Sequence, residues 1–379
     1  MITKFDDIRP YTDAEIPEAM KRIAHSEYLK AICDFGFPER DLNEIKEMIL
    51  NITSIEEFQL KVMFPINNQI IHNTIHHFSY EGIENLELKK NYLFISNHRD
   101  IVLDSSLLQQ IFNFNGFPTS EITFGSNLMS SQLAIDIGKS NKMFKVERGE
   151  SARRFYEKSL HLSEYMYYTI TEKGESLWIA QRNGRTKDGI DKTHQGLIKM
   201  LSLYGRHNLH EHFATLNITP IAVSYQYEPC DYLKVRELYL KQQFGTYQKT
   251  DGEDLFSILH GIQQYKGNFC LRITPPITKE LIQTLPENDT NFCAALTHII
   301  DQQIISAYQL WDTHYMAYDM LLNSHEYNEH YNPTRLHEFN QYIDFQIAKI
   351  KDVEDVETLR KMFLELYANP IRVKRENGE

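Results

Sequence analysis

The sequence predicts an α/β fold: a mostly parallel sheet with flanking helices, plus N-terminal and C-terminal helical segments. Between residues 86 and 230, short apolar runs rich in β-branched and aromatic residues alternate with stretches of helical periodicity, a pattern typical of βαβ units. The chain has 379 residues, of which 42% are hydrophobic and 12% aromatic. It is therefore long and apolar enough for a sizeable core in one large or two modest domains.

Residues 1–85 are predicted to form an N-terminal helical region, because apolar residues such as Ile16, Met20 and Ile23 recur at helical spacing. His72 and His76 lie four positions apart, which on a helix is a spacing that can bind metal. No carboxylate accompanies them at a fixed distance, so a polar helix face is the favoured interpretation. No metal site is expected.

Residues 86–277 are predicted to form the catalytic α/β domain. Its predicted strands are Tyr92–Ser96, Ile122–Gly125, Met143–Glu147, Ser176–Ala180 and Ile218–Tyr227, with helices near 101–114, 127–137, 151–173 and 191–205. After a helical stretch around 231–266, Phe269–Ile273 is predicted as an edge strand. Residues 278–379 are predicted to be helical again, with one long helix over Asn291–Asn323 and two more near 333–350 and 353–368.

The overall charge and the cysteines restrict the class of protein. The 40 basic and 52 acidic residues give a net charge of −12, which argues against a general nucleic-acid binder. The four cysteines are scattered, as expected for free thiols in a reducing cytoplasm. The polar N-terminus does not resemble a signal peptide, and no apolar run approaches the roughly 18 residues that span a bilayer. Action on a lipid would therefore take place from the membrane surface.

The chemistry is predicted around His98, in a polar turn between an apolar strand and an apolar helix. Asp100 and Asp104 follow it closely. A histidine with a nearby carboxylate can take a proton from a hydroxyl near neutral pH. Either acid is a candidate partner, and Asp100 has the alternative role of capping the following helix.

Basic residues follow two other predicted strands. Arg148 comes directly after Met143–Glu147, and Arg185 and Lys187 lie in the glycine-containing loop after Ser176–Ala180. Since the carboxyl ends of parallel strands gather at one edge of a sheet, these bases are expected to converge near His98. Arginine and lysine side chains there suit a phosphorylated substrate. The alternative is that they are solvated and paired with neighbouring acids.

Four segments in this order resemble the glycerolipid acyltransferases, which act on glycerol 3-phosphate or 1-acylglycerol 3-phosphate. They are Asn97-His98-Arg99 with Ser105–Leu108, Val146-Glu147-Arg148, Asn183–Gly189, and Thr219-Pro220-Ile221. The resemblance covers roughly residues 85–230. It implies a peripheral membrane enzyme of phospholipid biosynthesis on the cytoplasmic face, which transfers an acyl group from acyl-CoA or acyl carrier protein to an acceptor hydroxyl. No metal, redox cofactor or nucleic acid is implied.

The resemblance also implies residue roles. His98 would be the general base and Asp104 the acid that orients it. The residues that would bind substrate are Arg99, Arg148, Gly184, Arg185, Thr186, Lys187 and Pro220.

Two features depart from the family pattern. Five residues rather than four separate His98 from Asp104, and on one continuous helix this spacing would place the two on different faces. The pair is therefore expected to meet only if His98 lies in the turn before the helix. In the third segment, Arg182 occupies the position of the usual glutamate, which suggests an acceptor with an additional anionic group.

Two other functions are compatible with the same residues. In a hydrolase of acyl thioesters or lipid esters, His98 would activate water. In a degenerate acyltransferase-like module, the fold would bind lipid without turnover.

Overall fold

A computed structural model describes residues 4–147 and 152–378. These residues contain one seven-stranded sheet in the order β1-β7-β6-β2-β5-β3-β4. The strands are β1 (Ile75–Glu81), β2 (Leu93–Ser96), β3 (Glu121–Gly125), β4 (Met143–Val146), β5 (Leu177–Ala180), β6 (Ile218–Tyr225) and β7 (Gly267–Ile273). All neighbouring pairs are parallel except β6 and β7. The predicted fold class is thus confirmed, and the five strands predicted between residues 92 and 227 are present as β2 to β6.

The helices surround this sheet and extend beyond it at both ends of the chain. They are α1 (Ile16–Ala24), α2 (Leu29–Gly36), α3 (Leu42–Leu50), α4 (Ile55–Phe58), α5 (Phe64–Thr74), α6 (Leu103–Phe114), α7 (Gln132–Ser140), α8 (Ala152–Tyr168), α9 (Gln195–Gly205), α10 (Leu209–Thr215), α11 (Asp231–Phe244), α12 (Glu253–Gln263), α13 (Lys279–Gln283), α14 (Asp289–Ala307), α15 (Asp312–Leu322), α16 (Pro333–Ile347) and α17 (Val356–Glu376). None of them, within the described ranges, combines the length and apolar character needed to cross a bilayer.

The alternation of side chains along β2 explains why the sheet is covered on both faces. Leu93 and Ile95 pack into a core with α8, α9, α10 and α14, whereas Tyr92 and Phe94 pack into a second core with α5 and α6. Strands buried on both faces are the rule in parallel sheets. Helices α1–α4 share a separate apolar cluster, and α15–α17 pack together on α11.

The edge of the sheet differs from the prediction. Residues 75–81 form β1 rather than a helix, and β1 pairs along its length with β7, which therefore lies inside the sheet. Phe78 stacks on Phe269 with ring centroids 5.0 Å apart, so long-range pairing outweighs the local sequence signal. His72 ends up in α5 and His76 in β1, and the helical spacing proposed for them does not exist.

The long helix predicted over Asn291–Asn323 is also two helices, α14 and α15. The chain becomes extended at Tyr308, where ψ is 122°. There the N–H of Gln309 donates to Ser224 Oγ at 3.0 Å, and Tyr308 is 5% exposed. The break thus carries a buried aromatic side chain to the end of β6, behind the site described below.

His314 in α15 gives the fold a predicted pH dependence. Burial, with a smaller effect of Arg99, lowers the pKa of His314 to about 3, whereas an unfolded histidine titrates near 6.5. The unfolded chain therefore binds one more proton below about pH 6. As the pH is lowered from 6 to 4, the free energy of unfolding of the parent protein should therefore fall more steeply than that of His314→Gln. The difference in slope should be about 1.4 kcal/mol per pH unit. Urea titrations across this range test the difference, with exposed His337→Gln as the control. Equal slopes in the parent and His314→Gln would refute it.

Candidate active site

The carboxyl ends of four parallel strands open into one cavity of about 510 Å³. Each strand contributes residues that follow it: His98 after β2, Asn127 after β3, Glu147 after β4 and Arg182 after β5. Ligand sites of open α/β sheets lie at this edge, and the volume is in the range of small-molecule pockets. The structure therefore brings together the loops that the sequence analysis expected to converge.

His98 and Asp104 are in direct contact. His98 Nδ1 lies 3.0 Å from Asp104 Oδ2, so a proton on Nδ1 is shared with the carboxylate and Nε2 is the ring nitrogen left for a substrate. The extra residue between them is absorbed because His98 lies in the turn before α6 and Asp104 in the first turn of that helix. The ring of His98 also meets Trp178 edge-on, with centroids 6.1 Å apart.

Several hydrogen-bond donors surround the side chain of Asp104. Its Oδ2 also accepts from the backbone N–H groups of Arg99 at 2.7 Å and Asp100 at 2.9 Å, and its Oδ1 accepts from Tyr225 OH at 3.0 Å. The side chain is completely buried. Burial and the adjacent Asp104 carboxylate raise the pKa of Tyr225, so this phenol stays a donor. Four donors on one carboxylate fix the orientation of the acid.

Asp100 does not contact His98. Its Oδ1 instead accepts from the N–H groups of Val102 and Leu103, at 3.0 and 2.9 Å. Asp100 thus caps the turn that leads into α6, which is the alternative role considered for it. Of the two candidate acids, Asp104 is the one that contacts the histidine.

The chain around His98 is hydrogen-bonded to β6 on one side and to the loop after β5 on the other. Asn97 Oδ1 accepts from the N–H of Val223 at 2.7 Å, and Asn97 Nδ2 donates to Val223 O at 2.9 Å. The N–H of Thr186 donates to His98 O at 2.8 Å. These contacts fix where the imidazole stands at the cavity wall.

Two guanidinium groups in the cavity lack carboxylate partners among the described residues. Arg185 is 7% exposed and its Nη1 has no hydrogen-bond partner there. Arg182 donates from Nη1 to Ile190 O at 3.4 Å, and its buried Nε is also without a partner in the described part of the chain. Since buried guanidinium N–H groups are costly when unpaired, this loop is suited to bind an anion.

The lysines of the cavity each lie within 4 Å of a carboxylate. Lys187 pairs with Glu237, and burial is the main cause that lowers the pKa of Lys187. Lys249 pairs with Asp254 at 2.5 Å. Lys145 and Lys158 share the carboxylate of Glu147, at 2.5 and 3.4 Å. Arg182 and Arg185 thus differ from these lysines in having no carboxylate within 4 Å among the described residues.

Three residues predicted to bind substrate do not line this cavity. Arg99 is buried behind the histidine, on Asp191 and Glu228. Thr186 is fully buried, and its hydroxyl donates within its own loop to Asp188 Oδ1. Pro220 lies inside β6, where its carbonyl accepts from Thr274 N at 3.0 Å.

The position of Pro220 in the sheet has a simple reason. Its carbonyl points towards the β7 side of β6, just beyond the end of β7, and in a strand the N–H of a residue points to the same side as its carbonyl. The N–H that proline lacks would therefore not have paired with β2, and no bond of the β2–β6 ladder is lost. Pro220 is thus explained by strand pairing rather than by substrate contact. Arg148, the remaining predicted base, lies outside the described residues.

The site has supporting residues that the sequence analysis did not identify. Trp178 and Tyr225 contact the dyad of His98 and Asp104, and Asp191 contacts both neighbours of His98, Asn97 and Arg99. No local signal marks Asp191. Tyr225 could have been considered, because it ends a central strand at the edge of the sheet where sites occur.

One wall of the cavity is apolar. It is formed by residues of α8, β5 and α9 together with the segment after β3, namely Leu162, Ile179, Leu197, Met200 and Leu128. Apolar walls with few convergent polar groups are typical of ligand sites. This cavity can therefore hold an aliphatic chain and an anionic group together.

Two glycines of the base-containing loop should differ in their sensitivity to substitution. Both have a positive φ, 75° at Gly184 and 77° at Gly189. A Cβ at Gly184 would meet nothing within 4 Å, whereas one at Gly189 would lie 2.1 Å from Leu366 O in α17. Gly184→Ala should cost about 1 kcal/mol of unfolding free energy, and Gly189→Ala about 3 kcal/mol or more. Urea unfolding of the two variants checks this, and equal losses would contradict it.

Comparisons with known proteins give a limited result. No family model matches the chain, and no curated protein matches it. Among solved structures, the chain is similar to the crystal structure of the 1-acyl-sn-glycerophosphate acyltransferase PlsC from Thermotoga maritima, with 12% sequence identity and a TM-score of 0.35. The match covers 78% of this chain and 96% of that one. The fold class given above is based on the strand order, not on this match.

Proposed function

We propose that this protein is an acyltransferase that moves a fatty acyl group from an acyl thioester to the hydroxyl of a phosphorylated acceptor. The observation that carries the proposal is one cavity lined both by His98, which contacts Asp104 behind it, and by two guanidinium groups without carboxylate partners in the described residues. A base beside an anion site is what the deprotonation of a hydroxyl on a phosphorylated molecule requires.

In the proposed reaction, His98 Nε2 takes the proton of the acceptor hydroxyl while Nδ1–H donates to Asp104. The acceptor oxygen attacks the thioester carbonyl carbon, the new C–O bond forms and the C–S bond breaks. The leaving thiolate takes the proton from the imidazolium. Asp104 stabilises that imidazolium by its negative charge. General-base assistance of this kind contributes roughly 10²–10⁴-fold, and the rest of the acceleration would come from positioning.

The acceptor would be glycerol 3-phosphate or 1-acylglycerol 3-phosphate, with its phosphate on Arg182 and Arg185. The acyl chain would lie along the wall of Leu162, Leu197 and Met200. The donor would be acyl-CoA or acyl carrier protein. We also propose that the protein acts at the cytoplasmic surface of the membrane, in phospholipid synthesis.

Thiol release from a long-chain acyl-CoA tests the proposal. We expect release that depends on glycerol 3-phosphate or 1-acylglycerol 3-phosphate, and much slower release with glycerol at the same concentration. A parallel series uses acyl carrier protein as the donor. Equal release without any acceptor would instead show a hydrolase. No release with either donor, but retained binding of the lipid, would favour the module without turnover.

A further inference from the structure

Arg99 is the centre of a buried charge cluster that includes Asp191, Glu228 and Lys234. Arg99 Nη2 donates to Asp191 Oδ2 at 2.5 Å and Nη1 to Glu228 Oε2 at 3.3 Å. Lys234 Nζ donates to Glu228 Oε1 and to Arg99 O, both at 2.6 Å. No side chain of the cluster is more than 7% exposed. Two basic and two acidic side chains are therefore packed together away from water.

This charge cluster is attached directly to the dyad. The N–H of Arg99 donates to Asp104 Oδ2 at 2.7 Å, and Asp191 Oδ2 also accepts from Asn97 Nδ2 at 3.1 Å. Both residues that flank His98 thus contact Asp191. Removal of a cluster member would disturb the backbone on both sides of the imidazole.

The C-terminal region closes the cluster from the other side. The guanidinium of Arg99 lies over the ring of Tyr308, 4.8 Å from its centroid, at the break between α14 and α15. In α17, Tyr367 OH accepts from the N–H of Glu228 at 2.9 Å. The side chain that follows the histidine is therefore clamped between the sheet and the C-terminal helices.

We infer that Arg99 is a positioning residue, and that the cluster of Arg99, Asp191, Glu228 and Lys234 transmits the packing of the C-terminal helices to the His98–Asp104 pair. This inference depends on the proposed function for its kinetic readouts. In this inference the C-terminal helices contribute to catalysis indirectly, through the cluster, and not through contact with the substrate. A misplacement of about 1 Å at a reacting group costs on the order of 10²-fold in rate.

Removal of either charge should lower kcat and shift the pH profile in opposite directions. Arg99→Met leaves the cluster with an excess negative charge that favours the imidazolium, so the acidic limb of kcat/KM should move to higher pH. Asp191→Asn leaves an excess positive charge, so the limb should move to lower pH. Each shift is expected to be on the order of one pH unit. The charged or titratable groups that the described part of the chain places beside His98 also include Asp104, Asp100, Tyr225, Arg182 and Arg185, and they are unchanged in both variants.

Steady-state kinetics of the full chain separates positioning from a loss of folded protein. For both variants we expect kcat to fall about 10–100-fold while KM for acyl-CoA and acceptor changes less than about threefold. Arg99→Lys should restore the acidic limb but only part of kcat, since lysine keeps the charge and lacks the two-pronged contact. The matched control is Arg22→Met, which removes the arginine from another buried aspartate, Asp136; neither residue lines the cavity.

A second readout does not depend on turnover. The Nδ1 proton of His98, identified as the low-field ¹H resonance lost in His98→Gln, should be present in the parent and in Arg22→Met. It should exchange faster with water in Asp191→Asn, whose isosteric side chain favours correct folding. If no acceptor supports acyl transfer, the proposed function is wrong. The exchange rate of the His98 Nδ1 proton still tests whether the cluster positions the histidine. Unchanged kcat and pH limb, limb shifts of the same sign, or an unaffected Nδ1 proton in Asp191→Asn would each overturn the inference.

Discussion

Replacement of His98 by alanine should lower kcat for acyl transfer by about 10³-fold, within the range for loss of a general base. The imidazole is the only titratable group of the described cavity lining that contacts the buried Asp104. KM for both substrates should change little, because in this account His98 acts on the reacting hydroxyl rather than on the phosphate or the acyl chain. Initial rates of thiol release at saturating donor and acceptor measure the effect.

The control for this variant is His161→Ala. His161 lines the same cavity, and its Nε2 lies 3.1 Å from the exposed carboxylate of Asp7. It therefore resembles His98 in residue type, location and partner, but it does not contact Asp104. A loss of activity in His161→Ala as large as in His98→Ala would contradict the assignment of the base.

Replacement of Arg185 by methionine should raise KM for a phosphorylated acceptor about 10–100-fold. Hydrogen bonds to charged groups contribute about 1.5–3 kcal/mol, and the guanidinium of Arg185 is buried with no carboxylate partner in the described residues. KM for acyl-CoA should change far less. Acceptor titrations at saturating acyl-CoA provide the measurement.

Lys187 and Arg206 serve as comparisons for Arg185. Lys187 is paired with Glu237, so Lys187→Met should raise the acceptor KM less than Arg185→Met does. Arg206 is exposed and outside the cavity lining, and Arg206→Met controls for the loss of one positive charge. An acceptor KM that rises equally in all three variants would show a diffuse electrostatic effect instead of a phosphate site.

The central strands were predictable because burial on both faces leaves a strong local pattern. Runs such as Leu93–Ile95 and Leu177–Ala180 are apolar throughout, and each is followed at once by polar residues. The β1 strand was missed because polar residues such as His76 and Ser79 interrupt its apolar ones, and only Ile75 of the seven is buried. It is a strand because β7 lies beside it, which is information from a partner about 190 positions away.

The site was predictable to the extent that its residues follow strands directly. His98, Arg182 and Arg185 lie within five residues of a strand end, and all three reach the cavity. Arg99 also follows a strand directly and was therefore predicted to bind substrate, but it is buried instead. Its neighbours in sequence do not show that Asp191, Glu228 and Tyr308 surround it. Sequence order locates a loop at the sheet edge, but it does not show which side chain of the loop turns inward.

The most direct test of the central claim is to identify the acyl product. A ¹³C-labelled long-chain acyl-CoA is incubated with the protein and glycerol 3-phosphate or 1-acylglycerol 3-phosphate, and the labelled lipids are identified by mass spectrometry. The account predicts an ester of the acceptor in a one-to-one ratio with released thiol, strongly reduced in His98→Ala. Labelled free fatty acid as the sole product, or an ester yield unaffected by His98→Ala, would contradict it.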